Sequence, residues 1–300
     1  MRVGKNLRSH CSHSTFFYCM NMISATKVKS IPFETTMKYY SAWSMALALT
    51  MMAYVFVVFQ SESLQSAEPI YVMCVALFHA IYGIWFFKGK KSPTFAAKTV
   101  LGRGILGIFL FMTAFFTRSI DESQPSQVIW LNLVFYYAMV IGSIELLSAL
   151  ITKMALNKDT YQKVQQELAP MTFKSKNRFV FGLYLLLLGA LILINTNTLL
   201  QFFYLPETSF SGFTSERISF GPMHIVGVQI LILGGYNLFA ARNNVETLIE
   251  AGMRGGSITV LFFIILVTAG ILHPITLLLP SIDFISMILI ATNKYFQKQN

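Results

Sequence analysis

Eight long runs of apolar residues alternate with short polar segments, and they constrain the fold more than any other feature of the chain. The hydrocarbon core of a bilayer is about 30 Å thick, which an α-helix crosses in about 20 residues. Backbone amides in lipid must bond within their own segment, so such runs predict helices. The sequence therefore predicts an all-α integral membrane protein with about eight transmembrane helices, at residues 42–59, 69–87, 101–116, 128–152, 179–203, 220–240, 256–272 and 275–292.

The composition excludes a soluble protein and argues against nucleic-acid binding. Of the 300 residues, 55% are hydrophobic and 12% are charged, whereas soluble domains carry about 25% charged residues. The net charge of +10 comes from basic residues between the apolar runs. We therefore expect these residues to contact the lipid bilayer, in particular anionic headgroups, rather than a nucleic acid.

The basic residues also predict an orientation. Lys and Arg concentrate on the cytoplasmic side of membrane proteins. Here, 21 of the 23 lie in the N-terminal segment, the second, fourth and sixth loops, and the C-terminal tail. The other two, Arg118 and Arg217, lie in the intervening loops. This alternation predicts eight crossings with both termini in the cytoplasm, most simply in a bacterial inner membrane.

The chain shows signs of an internal duplication. Residues 83–104 align without gaps with residues 234–255, and Arg103 falls on Arg254. Because each unit would hold an even number of helices, the two would be parallel four-helix repeats related by a twofold axis along the membrane normal. The alternative is chance similarity among apolar helices.

These observations divide the chain into five segments. The first segment is Ser-rich and basic, and three interpretations are open. It is a disordered tail, or translation begins at Met37, or it is a transit peptide. The segments are a tail at 1–41, a membrane unit at 42–152, a cytoplasmic linker at 153–178, a second membrane unit at 179–292, and a tail at 293–300.

A short motif recurs in both units. A basic residue and a helix-capping residue, Ser92 or Asn243, open a short helix that leads to an Arg-Gly pair and the next span. This arrangement resembles small four-helix bacterial membrane proteins of the DoxX-like kind. The resemblance covers a few residues in each repeat, and it implies a four-helix membrane unit but no particular function.

Glu145 is the first of two acids within apolar spans. A charge inside a bilayer costs several kcal/mol unless it is paired or hydrated, so such a residue is a candidate functional site. Arg103 begins the third span and Glu145 lies near the cytoplasmic end of the fourth. Because the two spans are antiparallel, their side chains lie at similar depth, and we expect an ion pair.

Asp283 is the second acid. Its equivalent partner would be Arg254, but counting from the preceding hairpin places the two about 13 Å apart in height. The alternatives for Asp283 are Asn237, Tyr236 or a bound cation. Pro280, one turn earlier, frees a backbone carbonyl nearby, as in the broken helices of transport sites.

Both acids have three interpretations: a structural ion pair, a proton or ion relay, and a catalytic acid. Other polar residues inside the spans, such as His79 and Asn237, commonly form hydrogen bonds between helices. His79 is interpreted as a buried imidazole more readily than as a ligand. Four N-terminal residues have soft-ligand side chains but no zinc-site spacing, namely His10, Cys11, His13 and Cys19.

The sequence predicts no cofactor, no metal site and no enzymatic activity, because phosphate-binding loops, nucleophile elbows and zinc-binding helices are missing from it. It is compatible with a transporter-like protein for a small solute or ion. The alternative is a non-catalytic scaffold, assembly or self-protection protein that binds a membrane partner or a second copy of itself. A lipid-modifying enzyme within the bilayer is a third possibility.

Overall fold

The structure is a computed structural model, and it describes residues 32–58, 67–118, 125–156, 170–196, 199, 202–203 and 222–299. Within these residues the fold is helical and contains no strand. The helices are α1 (Phe33–Val58), α2 (Ala67–Gly89), α3 (Pro93–Arg118), α4 (Pro125–Ala155), α5 (Phe173–Ile194), α6 (Pro222–Arg242), α7 (Glu246–Thr268) and α8 (Leu278–Gln299), with a 3-10 turn at Pro274–Leu277 before α8.

Seven of these helices, α1 to α7, are long and apolar enough to cross a membrane. The prediction of an all-α multi-pass membrane protein is thereby confirmed. The eighth predicted span corresponds to a shorter apolar segment, Pro274–Ile290. It begins with the 3-10 turn at Pro274 and continues into α8.

Helices α2 and α6 form the centre of the bundle. In their most apolar stretches 78% and 72% of the residues are buried, against 28–44% in the other five long helices. The two contact each other, and Tyr82 of α2 donates a hydrogen bond to the Gln229 carbonyl of α6 at 2.8 Å. Helix α2 also contacts α7, and α6 also contacts α3. The outer helices present aliphatic side chains to the surroundings, as lipid-facing helices do.

Consecutive helices pack as antiparallel pairs through small residues. On α1, Ser41 and Ser44 donate hydrogen bonds to the carbonyls of Gly83 and His79 on α2, each at 2.7 Å. Between α5 and α6 the backbones come closer still: a Cβ atom at Gly189 would lie 2.8 Å from the Gly227 carbonyl oxygen. Close approach of this kind is typical of helix packing in membranes.

Several helices extend beyond the predicted apolar spans. Helix α1 begins at Phe33 and α5 at Phe173, so residues 33–41 and 173–178 are helical, not tail or linker. The rest of the predicted disordered tail, residues 1–31, lies outside the described residues. The helices extend beyond the apolar spans because charged residues can continue a helix: Lys38 pairs with Glu34 one turn earlier at 3.2 Å.

The last helix also extends beyond the predicted apolar span. Helix α8 continues to Gln299, so most of the predicted tail at 293–300 is helical. Polar residues replace the apolar ones over this stretch, and an amphipathic or polar helix end gives no signal in a count of apolar residues.

The two predicted helix caps differ in outcome. Ser92 accepts a hydrogen bond from the Phe95 amide at 3.2 Å, as an N-cap does. Asn243 does not cap α7: its side chain bonds back to the Phe239 carbonyl, and Val245 is the N-cap residue. Asn244, with a φ of 48°, makes the turn between α6 and α7.

Basic residues gather at one end of the bundle, which we call the basic end. Asn244 holds the start of α5 against the α6–α7 turn there, because it accepts a hydrogen bond from Ser175 and donates one to the Pro170 carbonyl. The basic end carries Lys88, Lys90, Lys91, Lys153, Lys174, Lys176 and Arg242.

Candidate functional site

The first buried polar group, which we call the Glu145 cluster, joins α1, α3 and α4. Tyr40 of α1 donates a hydrogen bond from its hydroxyl to the Glu145 carboxylate of α4. The Arg103 guanidinium of α3 lies 4.6 Å from the centre of the Tyr40 ring, a cation–π arrangement. Arg103 also donates to the Thr99 carbonyl at 3.2 Å and to the Thr99 hydroxyl at 3.0 Å. All four side chains are buried.

Instead of the predicted ion pair between Arg103 and Glu145, Tyr40 contacts both side chains, Glu145 through its hydroxyl and Arg103 through its ring. The two residues lie close together, as depth counting predicted, but the structure shows no direct salt bridge between them. Among the described residues, Arg103 Nη1 and Glu145 Oε2 have no hydrogen-bond partner. No sequence pattern indicated a role for Tyr40, since a tyrosine near the end of an apolar run is usually an interfacial anchor.

The second buried group is an ion pair between Arg178 of α5 and Asp283 of α8. Arg178 Nη1 lies 3.2 Å from Asp283 Oδ1, and the two side chains are 0% and 4% exposed. Arg254, the residue equivalent to Arg103, is exposed and makes no salt bridge with Asp283. Sequence reasoning missed Arg178 because it was assigned to the linker, whereas it lies five residues inside α5.

Two hydrogen bonds flank this ion pair and fix the register of α5 against α8. Asn177 donates to the Ser286 carbonyl at 2.9 Å, and Tyr184 donates to the Leu279 carbonyl at 2.8 Å. Arg178 Nε and Nη2 have no hydrogen-bond partner among the described residues. The guanidinium therefore keeps donors that its single bond to Asp283 does not use.

Two glycines of α7 make room for these polar groups. A Cβ atom at Gly256 would overlap the Asp283 carboxylate. One turn earlier, a Cβ atom at Gly252 would lie 2.8 Å from Asn237 Oδ1, 3.2 Å from Trp85 and 3.6 Å from the Arg178 guanidinium carbon. Gly252 thus marks the point where α2, α5 and α6 bring an indole, a guanidinium and an amide together.

A cavity of about 100 Å³ opens onto this point, enclosed by α2, α5, α6, α7 and α8. Aliphatic and aromatic side chains form most of its wall. Its basic end is lined by Trp85, Asn237, Gly252 and Asp283, and its far end by Ile70, Tyr71, Met223 and Leu272. We call it the α2/α5–α8 cavity.

Asn237 supplies an unmet acceptor at the cavity. Its Nδ2 donates to the Leu233 carbonyl at 2.8 Å, and its Oδ1 has no hydrogen-bond partner among the described residues. The side chain is 2% exposed. A buried amide oxygen without a donor is costly, so a bound donor there would be stabilising.

His79, the remaining candidate, lies apart from both the cavity and the ion pair. Its Nε2 is 2.9 Å from the Tyr137 hydroxyl of α4, and the side chain is buried. This contact between α2 and α4 agrees with the interpretation of His79 as an interhelical hydrogen-bonding residue. Among the described residues, no three His, Cys, Asp or Glu side chains are grouped as a metal site would require.

An aromatic cluster around Tyr236 lies between the two charged groups. Its ring centre is 5.3 Å from Phe95, 5.9 Å from Trp85 and 6.2 Å from both Tyr82 and Phe86. Phe86 also touches the Arg103 side of the bundle, since the Arg103 guanidinium lies 5.6 Å from its ring. The Glu145 cluster and the Arg178–Asp283 pair are therefore separate sites.

A second, open groove of about 460 Å³ lies between α1, α2 and α4. Its wall includes Thr50, Val75, Tyr136 and Val140, and none of the described residues that line it is charged. Although larger than the α2/α5–α8 cavity, it offers an apolar surface to lipid without a charged end.

Comparison with known proteins gives no relative for this chain. No family model matches the sequence, and neither the curated proteins nor the solved structures contain a significant match. The similarity to DoxX-like proteins stays a resemblance in the motif residues. Function is therefore argued from the geometry of the site.

Proposed function

We propose that this protein is a non-enzymatic, transporter-like membrane protein that binds a small amphipathic solute in the α2/α5–α8 cavity. One observation carries the proposal: a narrow apolar cavity ends on buried polar groups whose hydrogen-bonding capacity is only partly used. The apolar part of the solute would lie against the aliphatic walls, and its polar part would reach Asn237 and Asp283.

The cavity favours an amphipathic solute over a hydrated ion. An ion pathway needs polar groups along its length to replace water, but here most of the wall is apolar. Each methylene group buried against apolar walls contributes about 0.8 kcal/mol. Arg178 and Asp283 neutralise each other, which leaves neither well suited to act as a catalytic acid or base.

Glu145 takes a structural role in this proposal. It does not line the α2/α5–α8 cavity, and its hydrogen bond to Tyr40 holds α4 against α1. Of the three interpretations given to the intramembrane acids, the structural one fits Glu145 best, and a solute-binding role fits Asp283 best.

The proposal is tested by transbilayer movement of a single-chain lipid in proteoliposomes. The solute is lysophosphatidylethanolamine with a fluorescent group on its chain, and dithionite added outside destroys the fluorescence of molecules that reach the outer leaflet. We expect the wild-type protein to accelerate this loss well beyond that of empty vesicles.

Two variants with the same substitution make the test specific. Val226→Phe fills the α2/α5–α8 cavity, and Val75→Phe places the same ring in the second groove; both valines are buried in the wild type. Val226→Phe should abolish the acceleration while Val75→Phe retains it. Equal rates in wild type, both variants and empty vesicles would reject the proposed function.

The second candidate is a non-catalytic scaffold, assembly or self-protection protein. It is favoured by the separation of the two charged groups, since the Glu145 cluster joins only α1, α3 and α4 and the ion pair joins only α5 and α8. Purification in mild detergent should then yield a membrane partner or a second copy in fixed stoichiometry. A monodisperse single chain that moves the fluorescent lipid would count against it.

We also propose that the chain arose by duplication and lies in a bacterial inner membrane with its basic end in the cytoplasm. Two features support the duplication. Helices α2 and α7 contact each other, as do α3 and α6, which is the crosswise pairing that a twofold axis between two four-helix units would produce. In each unit an acid of the last helix bonds to a residue of the first, through Glu145 and Tyr40 or through Asp283 and Arg178.

A further inference from the structure

The shape of the α2/α5–α8 cavity limits what can occupy it. On α2 its wall runs from Tyr71 to Trp85, which spans about 20 Å at 1.5 Å per residue. One leaflet of the hydrocarbon core is about 15 Å thick, so the cavity is long enough for one extended acyl chain. A volume of about 100 Å³ leaves no room beside it for a second chain.

The charges at the basic end limit the polar head. Arg178 and Asp283 form one cation and one anion at 3.2 Å, and the neighbouring cavity groups, Asn237 and Trp85, are neutral. A head with a net charge would add an uncompensated charge to a site that is almost fully buried, which is strongly unfavourable. A head without net charge adds none.

The unused hydrogen-bonding atoms limit the head further. Asn237 Oδ1 is an acceptor without a donor, and Arg178 Nε and Nη2 are donors without an acceptor, all among the described residues. Gly252 brings the Asn237 oxygen and the Arg178 guanidinium to the same point on α7. Of the two, only Asn237 is among the described residues that line the cavity, so the head must carry at least one hydrogen-bond donor.

We infer that the ligand of the cavity is a single-chain amphiphile whose head has no net charge and carries a hydrogen-bond donor. Its chain lies along α2 and α6, and its head lies at the basic end against Asn237. The inference rests on the proposed function, because it names the class of solute that the same cavity would bind.

Quenching of Trp85 fluorescence tests the inference directly. In a Trp43→Phe/Trp130→Phe background, Trp85 is the one remaining tryptophan of the chain. The probe is a monoacylglycerol with bromine on the chain carbons nearest the glycerol, added to the protein in lipid nanodiscs. We expect quenching that saturates and that unbrominated monoacylglycerol reverses.

Competitors with the same acyl chain and different heads then show which class of head the cavity binds. The form with both glycerol hydroxyls methylated keeps acceptors but has no donor, and we expect it to bind three- to tenfold more weakly, as the loss of one neutral hydrogen bond does. The fatty acid anion and the alkylammonium cation should each bind at least tenfold more weakly than monoacylglycerol.

Two variants assign the effect to the cavity. In Asn237→Leu, monoacylglycerol and its methylated form should bind equally, since the acceptor is gone, whereas Val226→Phe should remove saturable quenching altogether. Size-exclusion chromatography and helical circular dichroism establish that each variant is folded. If Asn237→Leu does not fold, the comparison of competitors on the otherwise unchanged protein still decides.

Three results would overturn the inference: tighter or equal binding of either charged competitor, equal binding of the methylated form to the wild-type site, or no saturable quenching by the monoacylglycerol. The first two leave the proposed function intact if the protein still accelerates transfer of the fluorescent lysophospholipid. Absence of both saturable quenching and transfer would reject the inference and the proposed function together.

Discussion

The two intramembrane acids meet their partners in different ways. Asp283 forms a direct ion pair with Arg178, and both side chains are almost fully buried. Glu145 accepts a hydrogen bond from Tyr40, whose ring stacks under Arg103. In both cases the carboxylate is held by a residue from the first helix of its half of the chain, so each acid joins two helices that are distant in sequence.

Breaking the ion pair should be costly, because it leaves a buried charge without its partner. We predict that Arg178→Met or Asp283→Leu alone destabilises the protein by about 3–5 kcal/mol. The double substitution should recover most of that loss. Unfolding by sodium dodecyl sulfate in bicelles measures the free energies.

Arg254→Met is the control for this experiment. Arg254 is exposed, so its replacement should change the free energy of unfolding by less than about 0.5 kcal/mol. A loss at Arg254 as large as that at Arg178 would contradict the assignment of the ion pair.

The Tyr40 hydroxyl gives a second residue-scale prediction. Tyr40→Phe leaves the buried Glu145 carboxylate without this donor and should destabilise the protein by about 1–3 kcal/mol. The adjacent Tyr39 is 72% exposed, so Tyr39→Phe is the matched control and should have no measurable effect. The same unfolding assay compares the two, and equal losses would show that the hydrogen bond to Glu145 is unimportant.

At the scale of helices, glycine placement decides how closely α7 approaches its neighbours. Gly252 and Gly256 lie one turn apart on α7 and face Asn237 and Asp283. Not every helical glycine is constrained in this way: a Cβ atom at Gly104 or Gly235 would meet nothing within 4 Å. The polar end of the cavity therefore depends on particular glycines and not on glycine content in general.

Alanine substitution separates these two kinds of glycine. Gly256→Ala should displace α7 or the Asp283 carboxylate and cost about 1–3 kcal/mol, the usual cost of overpacking. Gly104→Ala should be neutral or stabilising by up to about 1 kcal/mol, because alanine favours a helix more than glycine does. Unfolding free energies check both, and a tolerated Gly256→Ala would argue against the close packing of α7 on Asp283.

At the scale of the whole molecule, the two central helices organise the bundle. Helices α2 and α6 are buried far more than the others, and between them they contact α1, α3, α5 and α7. The α2/α5–α8 cavity forms beside this centre, with its polar groups at the basic end. If the basic end faces the cytoplasm, as the basic residues predict, the head of a bound amphiphile lies near the cytoplasmic surface.

Cysteine labelling tests that orientation. In a background without the native cysteines, Lys91→Cys at the basic end and His273→Cys at the opposite end are both exposed positions. A membrane-impermeant maleimide added to intact cells should label the cysteine at position 273 and reach position 91 only after the membrane is opened. The reverse pattern would invert the proposed topology.

The sequence by itself determined the class of fold and the residues worth following. Long apolar runs can only be helices in lipid, and an acid within such a run must find a partner, so the multi-pass architecture and the importance of Glu145 and Asp283 followed from composition and position. Helix ends were predicted less well, because a helix such as α5 continues through charged residues once it leaves the hydrocarbon.

Only the tertiary structure decided the partners of these acids and the existence of the cavity. Arg178 and Tyr40 lie 105 residues from Asp283 and Glu145, and no local pattern encodes which face of α5 or α1 turns towards them. The cavity depends on the spacing of five helices, which is set by where glycines and bulky side chains meet. Depth along a helix can be counted from the sequence, but the direction in which a side chain points around the bundle depends on packing.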